Sequence, residues 1–323
     1  MNHFSSETAN VLYLGCKDLP VFDYHTRISP QEVFENTAVR DRLRSFGVTA
    51  LCTSEEPASN LDWYKKLRGD LQGMRVIPTF CPDRLLNACD EDWMQAVRKL
   101  GRNEAMEIAT LDDLKEALRR SYVRFASLGS RSGEHNVAWM RIFDPVGAEE
   151  AFANAWKRGT AVPEEADKIA SALLLSLGER YCSTDMVMEV CTNVSCMASL
   201  LNALGMKLPN TILHCARESE YTQVIELAAG FAEHKVQIGW SDHSADAYRA
   251  HLNVLMERGL LSGAIGAFTD AHDVEELSCH DTLRRVVCDT VGQAVEQGGY
   301  SLQQAQNIVN ALCGQNAMIF FAG

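Results

Sequence analysis

The stretch LPVFDYHTRISPQEVFEN, residues 19–36, passes from an apolar run into a helix and carries polar side chains at the junction. Residues 21–24 read as a buried strand, and His25 and Arg27 follow at its end. Because residues i and i+2 of a strand point to the same face, both side chains should enter one space. The following Ser-Pro-Gln-Glu reads as an N-cap serine, a first-turn proline and a capping-box glutamate. The stretch therefore predicts a strand–helix unit with a polar pair at its loop.

Short β-rich runs alternate with helical patterns along the chain, as they do in parallel α/β folds. Predicted strands cover residues 21–25, 49–53, 75–80, 127–131, 186–191, 211–215, 236–240 and 263–269. Predicted helices cover residues 30–46, 60–71, 111–125, 164–181, 220–232, 245–258 and 281–296, and residues 84–110 read as polar and helical. Eight alternations without a glycine-rich phosphate loop favour a (β/α)8 TIM-type barrel over an open doubly wound sheet. Residues 1–323 are thus predicted to form a single barrel domain, with residues 300–321 as one extra C-terminal helix on its outside.

Composition and charge narrow the class of protein. A hydrophobic fraction of 46% with 23% charged residues is typical of globular chains. The net charge of −13, without a Lys/Arg cluster, argues against nucleic-acid partners. No apolar run reaches the roughly 18–20 residues of a membrane helix, and the N-terminus lacks a secretory pattern. The eleven cysteines contain no C-x-x-C pair and predict reduced thiols in a soluble cytoplasmic protein. The oligomeric state, a homo-oligomer included, stays open.

Polar side chains recur at the ends of the predicted strands. In a (β/α)8 barrel the chemistry lies where strands end and βα loops begin. The candidates at these ends are His25, Arg27, Ser54, Glu55, Cys81, Asp83, Arg131, Glu134, His135, Glu189, His214, Asp242, His243, Asp270 and His272. If the barrel closes, these groups converge on one polar site.

Several blocks of the sequence resemble the uronate (glucuronate) isomerase family, a divergent branch of the amidohydrolase superfamily. FDYHTRISPQE, CTSEEPASNLDWY, VIPTFCPDRLLN, GSRSGEHNV and LPNTILHC are similar to family blocks, and the most specific are GLLSGAIGAFTDAHD, CHDTLRRVVCDTVGQAVEQG and QNAMIFF. They run collinearly over nearly the whole chain. The resemblance implies a distorted, amidohydrolase-like (β/α)8 barrel. It also implies aldose–ketose isomerisation of a glucuronate- or galacturonate-type sugar acid, usually with one divalent metal such as zinc or manganese.

The chain also departs from the pattern of this family. It is shorter, mainly after the first strand, where the family carries a helical insertion that covers the substrate. Where the family has His-x-His, Arg-Pro-Asp, a strand-five histidine and Thr-Asp-Ser-Arg, this chain has His25-Thr26-Arg27, Cys81-Pro82-Asp83, Glu189 and Thr269-Asp270-Ala271-His272. Of the residues that the resemblance assigns to metal and proton chemistry, His25 and Asp270 keep their identity. We therefore predict weak or no turnover of D-glucuronate.

Two interpretations of the metal stay open. In the first, a rearranged divalent-metal site takes its ligands from His25, Asp270, Glu189 and His214, since a catalytic zinc commonly has three protein ligands and one open position. In the second, the site is metal-free because Arg27 replaces a family histidine. A guanidinium cannot ligate a metal and repels one, but it can neutralise Asp270 and Glu189. The second interpretation is favoured.

Asp270 is the predicted general base. It follows the apolar run GAIGAFT, and burial there should raise its pKa toward the range that a base needs. The resemblance implies that it moves a proton between C2 and C1 through an enediol; the alternative is a cap of the next helix. His272 should contact Asp270 or substrate, or else lie exposed in the loop. Cys81 is interpreted as a spectator thiol, and Glu134 with His135 as a loop-ordering network.

Three functions remain compatible with the sequence. The first is isomerisation of a sugar acid, with Asp270, Arg27 and His272 as catalytic residues. The second is an amidohydrolase-type reaction in which a metal-activated water attacks a lactone, ester or amide. The third is a non-catalytic paralogue whose barrel binds a small molecule. Likeness of fold alone does not choose among them.

Overall fold

The computed structural model describes residues 4–68, 73–231, 235–241 and 244–322. The chain divides into two compact units. Unit 1 comprises Met1–Thr53, Trp63–Ile77 and Gln237–Gly323, and unit 2 comprises Ser54–Asp62 and Pro78–Val236. Asp242 and His243, which belong to the predicted strand-end set, lie outside the described residues.

Strands and helices alternate through both units. The strands are β1 (Val21–Thr26), β2 (Val48–Glu55), β3 (Arg75–Phe80), β4 (Ser132–Asn136), β5 (Val187–Thr192), β6 (Thr211–Cys215) and β7 (Val236–Gly239). The helices are α1 (Glu7–Cys16), α2 (Pro30–Glu35), α3 (Thr37–Ser45), α4 (Asp62–Leu67), α5 (Asp83–Leu86), α6 (Trp93–Asn103), α7 (Leu111–Ser127), α8 (Ala148–Arg158), α9 (Pro163–Cys182), α10 (Val194–Leu204), α11 (Tyr221–Ala229), α12 (Ala245–Glu257), α13 (Cys279–Glu296), α14 (Leu302–Asn310) and α15 (Asn316–Ala322). In the described part of the chain, no helix is both long and apolar enough to cross a membrane.

Side-chain caps explain where several helices begin. Ser29 accepts a hydrogen bond from the backbone at the start of α2, with proline in the first turn, as predicted. Thr110 and Asp113 form a capping box that begins α7. Ser301 and Gln304 form the equivalent box at the start of α14. The helix boundaries in these places are therefore set locally by the sequence.

In unit 1, β1 pairs in parallel with β2, with Val21 opposite Val48 and Asp23 opposite Leu51. The register shifts between Asp23 and Thr26, an irregularity at the end of β1 next to His25. An apolar cluster from α2, α3, β1 and β2 also includes Ala271 and Leu277. The core of unit 1 thus holds the end of β1 against the chain around residues 271–277.

The predicted eighth strand, residues 263–269, does not form a regular strand. Gly266 adopts φ +78°, and a Cβ placed on it would lie 2.2 Å from the carbonyl oxygen of Leu312, so the chain bends there against a close backbone neighbour. Isolated hydrogen bonds still align the segment, because the Phe268 amide donates to Trp240 at 3.0 Å and the Asp270 amide to His25 at 3.0 Å. An irregular segment therefore occupies the predicted place between β7 and β1.

In unit 2, β3, β4, β5 and β6 pair in parallel in that order. Gly133 in β4 lies under α9, and a Cβ at this position would lie 2.2 Å from the hydroxyl oxygen of Tyr181. The predicted position of β4, residues 127–131, is wrong. The preceding helix α7 continues to Ser127, and Gly129 then takes φ +91° in a turn, which delays the strand by five residues.

Two predicted helices are divided. The prediction over residues 30–46 is interrupted at Asn36, whose backbone is extended and whose side chain caps α3. The predicted single C-terminal helix is α14 and α15, separated by a π-helical turn in which Gly314 has φ +146°. Helices α1, α8 and α10 are not predicted from the sequence. Local capping and one glycine therefore decide details that hydrophobic periodicity does not show.

The last helix, α15, packs on β1, the strand that carries His25 and directly precedes Arg27. The ring of Phe321 is 4% exposed, and its centroid lies 5.3 Å from both the Phe22 and the Tyr24 ring centroids. We expect Phe321→Ala to lower the free energy of unfolding by about 3–5 kcal/mol, because it removes a buried ring and leaves a cavity. Urea unfolding followed by circular dichroism measures the change.

Ile319→Ala is the matched control in the same helix. Its side chain is 72% exposed, so the substitution should change the unfolding free energy by no more than about 0.5 kcal/mol. Equal losses in the two variants would contradict the packing of α15 on β1.

Candidate active site

Three of the predicted residues meet in unit 1. Arg27 Nε donates a hydrogen bond to Asp270 Oδ1 at 3.0 Å, and Arg27 Nη2 lies 3.3 Å from His25 Nε2. The third side of this triangle, from His25 Nε2 to Asp270 Oδ1, measures 3.5 Å. His25 is 7% exposed, whereas the side chains of Arg27 and Asp270 are 29% and 44% exposed. The guanidinium thus contacts both other groups, and the cluster opens to solvent on the side of Asp270.

The backbone places Asp270 directly against β1. Its φ of +48° lies in the left-handed region, which aspartate tolerates better than most residues. The Asp270 amide donates to the carbonyl oxygen of His25 at 3.0 Å, and the Arg27 amide donates to Ala271 at 2.8 Å. Unusual backbone conformations of this kind concentrate at functional sites. Two main-chain hydrogen bonds therefore hold the carboxylate beside its two partners.

The electrostatics of Asp270 differ from the prediction. Burial raises its pKa, but the hydrogen bond and charge of His25 and the charge and hydrogen bond of Arg27 outweigh burial and lower the pKa to about 2. The predicted raised pKa is therefore wrong, because neighbouring cations dominate over the apolar run before Asp270. In the ligand-free protein Asp270 is ionised at neutral pH and is a weak base.

A second carboxylate, Asp23, supports this cluster from within β1. It is fully buried, and it accepts hydrogen bonds from Thr269 Oγ1 at 2.6 Å and from the Thr269 amide at 3.3 Å. His280 Nε2, in the first turn of α13, lies 2.9 Å from Asp23 Oδ2, the oxygen that also accepts from the Thr269 hydroxyl. Asp23 and His280 are not among the site residues predicted from the sequence. The sequence does carry a signal for Asp23, which is an aspartate inside an apolar strand. A buried carboxylate requires a polar partner, so this position indicates a buried polar contact.

Two further candidates meet in unit 2. His214 Nε2 lies 3.3 Å from Glu189 Oε2, on adjacent strands β6 and β5. Glu189 is fully buried, and the side chain of His214 is 13% exposed. Neighbouring parallel strands bring these two residues together, and both carry atoms that can bind a proton or a metal.

Unit 2 also contains a three-residue donor group of Cys81, Asp83 and Glu134. Their sulfur and carboxylate oxygen atoms all lie within 4.8 Å of one another. Glu134 is buried and accepts a hydrogen bond from the Ser54 hydroxyl, and Asp83 Oδ1 accepts from the Asn136 amide at 3.1 Å. One thiol and two carboxylates make a group that could hold a metal ion.

Two other predicted histidines, His135 and His272, have different surroundings. His135 belongs to β4 rather than to a loop, and it is fully buried with its ring stacked on Tyr181 at a centroid distance of 5.6 Å. Burial lowers its pKa to about 3, and its ring nitrogens have no hydrogen-bond partner among the described residues. The predicted loop-ordering role of His135 is therefore wrong. His272 is exposed, and its amide donates to Glu276 Oε2 at 2.8 Å in the loop before α13.

Known proteins resemble the chain over most of its length. A family model described as "Glucuronate isomerase" matches residues 35–197 and 192–321. A uronate isomerase of Bacillus licheniformis is 26% identical over an alignment that covers 91% of this chain and 71% of the relative. The crystal structure of a uronate isomerase from Thermotoga maritima superposes with a TM-score of 0.91 at 18% identity, covering 98% of each chain. This match confirms the predicted α/β barrel fold of the amidohydrolase-like type.

A more distant solved structure is also similar in fold. A proposed metal-dependent hydrolase from Lactobacillus casei superposes with a TM-score of 0.62 at 13% identity, covering 97% of this chain and 84% of the other. At this identity the likeness shows the fold and no more. Metal chemistry in this chain must be judged from its own residues.

The lowered pKa of Asp270 makes stability depend on pH. A carboxylate whose pKa is about 2 when folded and 3.8 ordinarily adds stability that is complete above pH 3.8 and is lost as the pH falls toward 2. Asp270→Asn should therefore be less stable than the parent near neutral pH, with a difference that shrinks below about pH 4. Urea unfolding at a series of pH values measures it. A difference that stays constant through this range would contradict the ion pair.

Proposed function

Because the chain belongs to the glucuronate isomerase family, we propose that it catalyses the aldose–ketose isomerisation of a sugar acid. The observation that carries this proposal is the cluster of Arg27, Asp270 and His25. It offers a carboxylate that can accept a proton and a cation that can hold an anionic oxygen. It also offers an imidazole, which can accept a proton or donate a hydrogen bond to such an oxygen. These are the groups that proton transfer next to a carbonyl requires.

An anionic substrate suits the exposed face of this cluster. The Arg27 guanidinium is partly exposed and already holds one carboxylate, and planar bidentate recognition of carboxylates is typical of arginine. A substrate oxygen that binds Arg27 competes with Asp270 for its N–H donors. The pKa of Asp270 then rises, since the hydrogen bond and charge that hold it low are shared. Substrate binding would thereby convert a weak base into a stronger one.

The proton transfers can be assigned to these side chains. Asp270 removes the proton from C2 of the open-chain aldose, and the electron pair of that bond forms the C1–C2 double bond of an enediolate. Arg27 stabilises the negative charge that develops on the C1 oxygen. His25 moves the hydroxyl proton from the C2 oxygen to the C1 oxygen. Asp270 then returns its proton to C1, which leaves a ketone at C2.

A divalent metal held by His25 and Asp270 does not fit these residues. The two atoms that would ligate it, His25 Nε2 and Asp270 Oδ1, lie 3.3 Å and 3.0 Å from the guanidinium nitrogens of Arg27. A guanidinium donates hydrogen bonds, cannot ligate, and repels a divalent ion. Arg27 thus contacts two of the four residues in the proposed ligand set of His25, Asp270, Glu189 and His214. We therefore assign the positive charge of this site to Arg27 and no step to zinc or manganese.

The connection after β1 bears on the substrate. The chain passes from β1 through the short helices α2 and α3 directly to β2. A site without a long cover at this point should hold a uronate less firmly, so weak turnover of D-glucuronate stays a prediction, and His272 stays a proposed substrate contact.

We further propose that residues 1–323 work as one cytoplasmic barrel domain on small-molecule substrates.

Hydrogen exchange at C2 tests the proposal even when net turnover is weak. The protein is incubated in D2O with D-glucuronate, D-galacturonate and related sugar acids, and loss of the C2 proton signal is followed by NMR. Asp270→Asn should slow exchange at least about 100-fold, the usual contribution of a positioned general base.

Glu275→Gln is the matched control for this experiment. Glu275 is an exposed carboxylate in the same loop region and pairs with Arg42 at 2.6 Å. Its substitution should leave the exchange rate unchanged. Exchange that survives Asp270→Asn would exclude Asp270 as the base, and absence of exchange with every sugar acid would contradict the isomerase assignment.

A further inference from the structure

Three cysteine side chains converge in unit 1, away from the residues assigned to proton transfer. Cys16 ends α1, Cys288 lies in α13, and Cys313 lies in the π-helical turn between α14 and α15. The sulfur atoms of Cys16 and Cys288 are 3.5 Å apart, and Cys313 makes a second hydrogen bond with Cys16. Cys16 and Cys288 are fully buried. Two neighbouring thiols thus hold the sulfur of Cys16 between them.

A buried cation stands beside this cluster. Arg284 is 8% exposed and donates to the carbonyl oxygens of Lys17 at 2.9 Å and Leu19 at 2.6 Å, just after the end of α1. Both of these partners are neutral, so they do not balance the charge of the guanidinium. An ionised sulfur at Cys16 would balance it, which is the environment that makes a cysteine reactive.

The charges around Cys16 favour its thiolate. Hydrogen bonds from Cys288 and Cys313, together with the weaker effect of the Arg284 charge, outweigh burial and Asp281 and lower the pKa of Cys16 to about 4. The same interaction raises the pKa of Cys288, which keeps its proton. One member of the pair is therefore a nucleophile and the other a proton-bearing thiol.

A small cavity of about 30 Å³ lies next to the cluster and is lined by Cys313, Arg284 and His280, among others. A cavity of this volume can hold a molecule of the size of water or a small peroxide. Cys313 lines this cavity, so a small oxidant that enters the cavity lies next to a thiol that contacts Cys16.

We propose that Cys16 and Cys288 form a redox pair that a peroxide converts to a disulfide between α1 and α13. The Cys16 sulfur attacks one peroxide oxygen, the O–O bond breaks, and Cys16 sulfenic acid and hydroxide form. The Cys288 sulfur then displaces hydroxide from the sulfenic acid and forms the S–S bond, while its proton converts that hydroxide to water. Two electrons pass from the two sulfurs to the peroxide, and a dithiol such as dithiothreitol reverses the change.

This disulfide would close a loop of exceptional length. Cys16 and Cys288 are 272 positions apart in sequence. A cross-link restricts the unfolded chain more strongly as the loop grows, so the oxidised protein should resist unfolding better than the reduced one. Helix α13 also carries His280, the partner of Asp23, so the cross-link would fasten α1 to the helix that supports β1.

Non-reducing electrophoresis tests the proposal. Protein treated with hydrogen peroxide or with dithiothreitol is denatured with an alkylating agent and run in SDS, where a cross-link over 272 positions should increase mobility. Peptide mass spectrometry of the fast band should identify Cys16 joined to Cys288, and the oxidised protein should melt several degrees higher. This measurement is made on the parent protein, so its result does not depend on whether any variant folds.

Cysteine-to-serine substitutions identify which cysteine forms the disulfide with Cys16. Cys288→Ser should abolish the fast band, whereas Cys313→Ser should retain it. Cys89→Ser, which removes a partly buried thiol of unit 2, is the control and should behave as the parent does. A parent without a fast band, a band that survives Cys288→Ser, or a cross-linked peptide without Cys16 would overturn the proposal.

Discussion

The contact of Arg27 with Asp270 joins the end of β1 to the irregular segment that follows β7, and the candidate chemistry depends on it. Two backbone hydrogen bonds reinforce the pair, because the Asp270 amide donates to His25 and the Arg27 amide donates to Ala271. Behind it, Asp23 ties β1 to Thr269 and His280. The result is a layered polar network in which each buried carboxylate has a cationic or hydroxyl partner, as buried charges require.

This arrangement explains how an isomerase-family site can be built with an arginine after the first strand. His25 and the fixed guanidinium of Arg27 together keep Asp270 ionised and poorly basic until a substrate oxygen competes for the Arg27 donors. The positive charge comes from the chain itself and needs no coordination geometry. Unit 2 carries further donor groups, which are Glu189 with His214 and Cys81 with Asp83 and Glu134.

Much of the fold could be predicted from sequence because alternating strand and helix patterns are strong and local. The predictions failed where one residue controls the backbone: Gly129 delays β4, Gly266 bends the eighth strand position, and Gly314 divides the last helix. In the site, strand-end positions identified His25, Arg27 and Asp270. The direction of the Asp270 pKa could not be predicted, because it depends on distances to two cations rather than on the apolar run before it.

Metal analysis tests the central claim, that Arg27 supplies the positive charge at His25 and Asp270. The parent protein and a His25→Ala/Asp270→Ala double variant are purified from medium supplied with zinc and manganese, and their metal contents are compared. We predict the same metal content in both proteins, because the Arg27 guanidinium already contacts His25 Nε2 and Asp270 Oδ1, the two atoms that would bind the metal. About one equivalent of metal in the parent that the double variant lacks would contradict it.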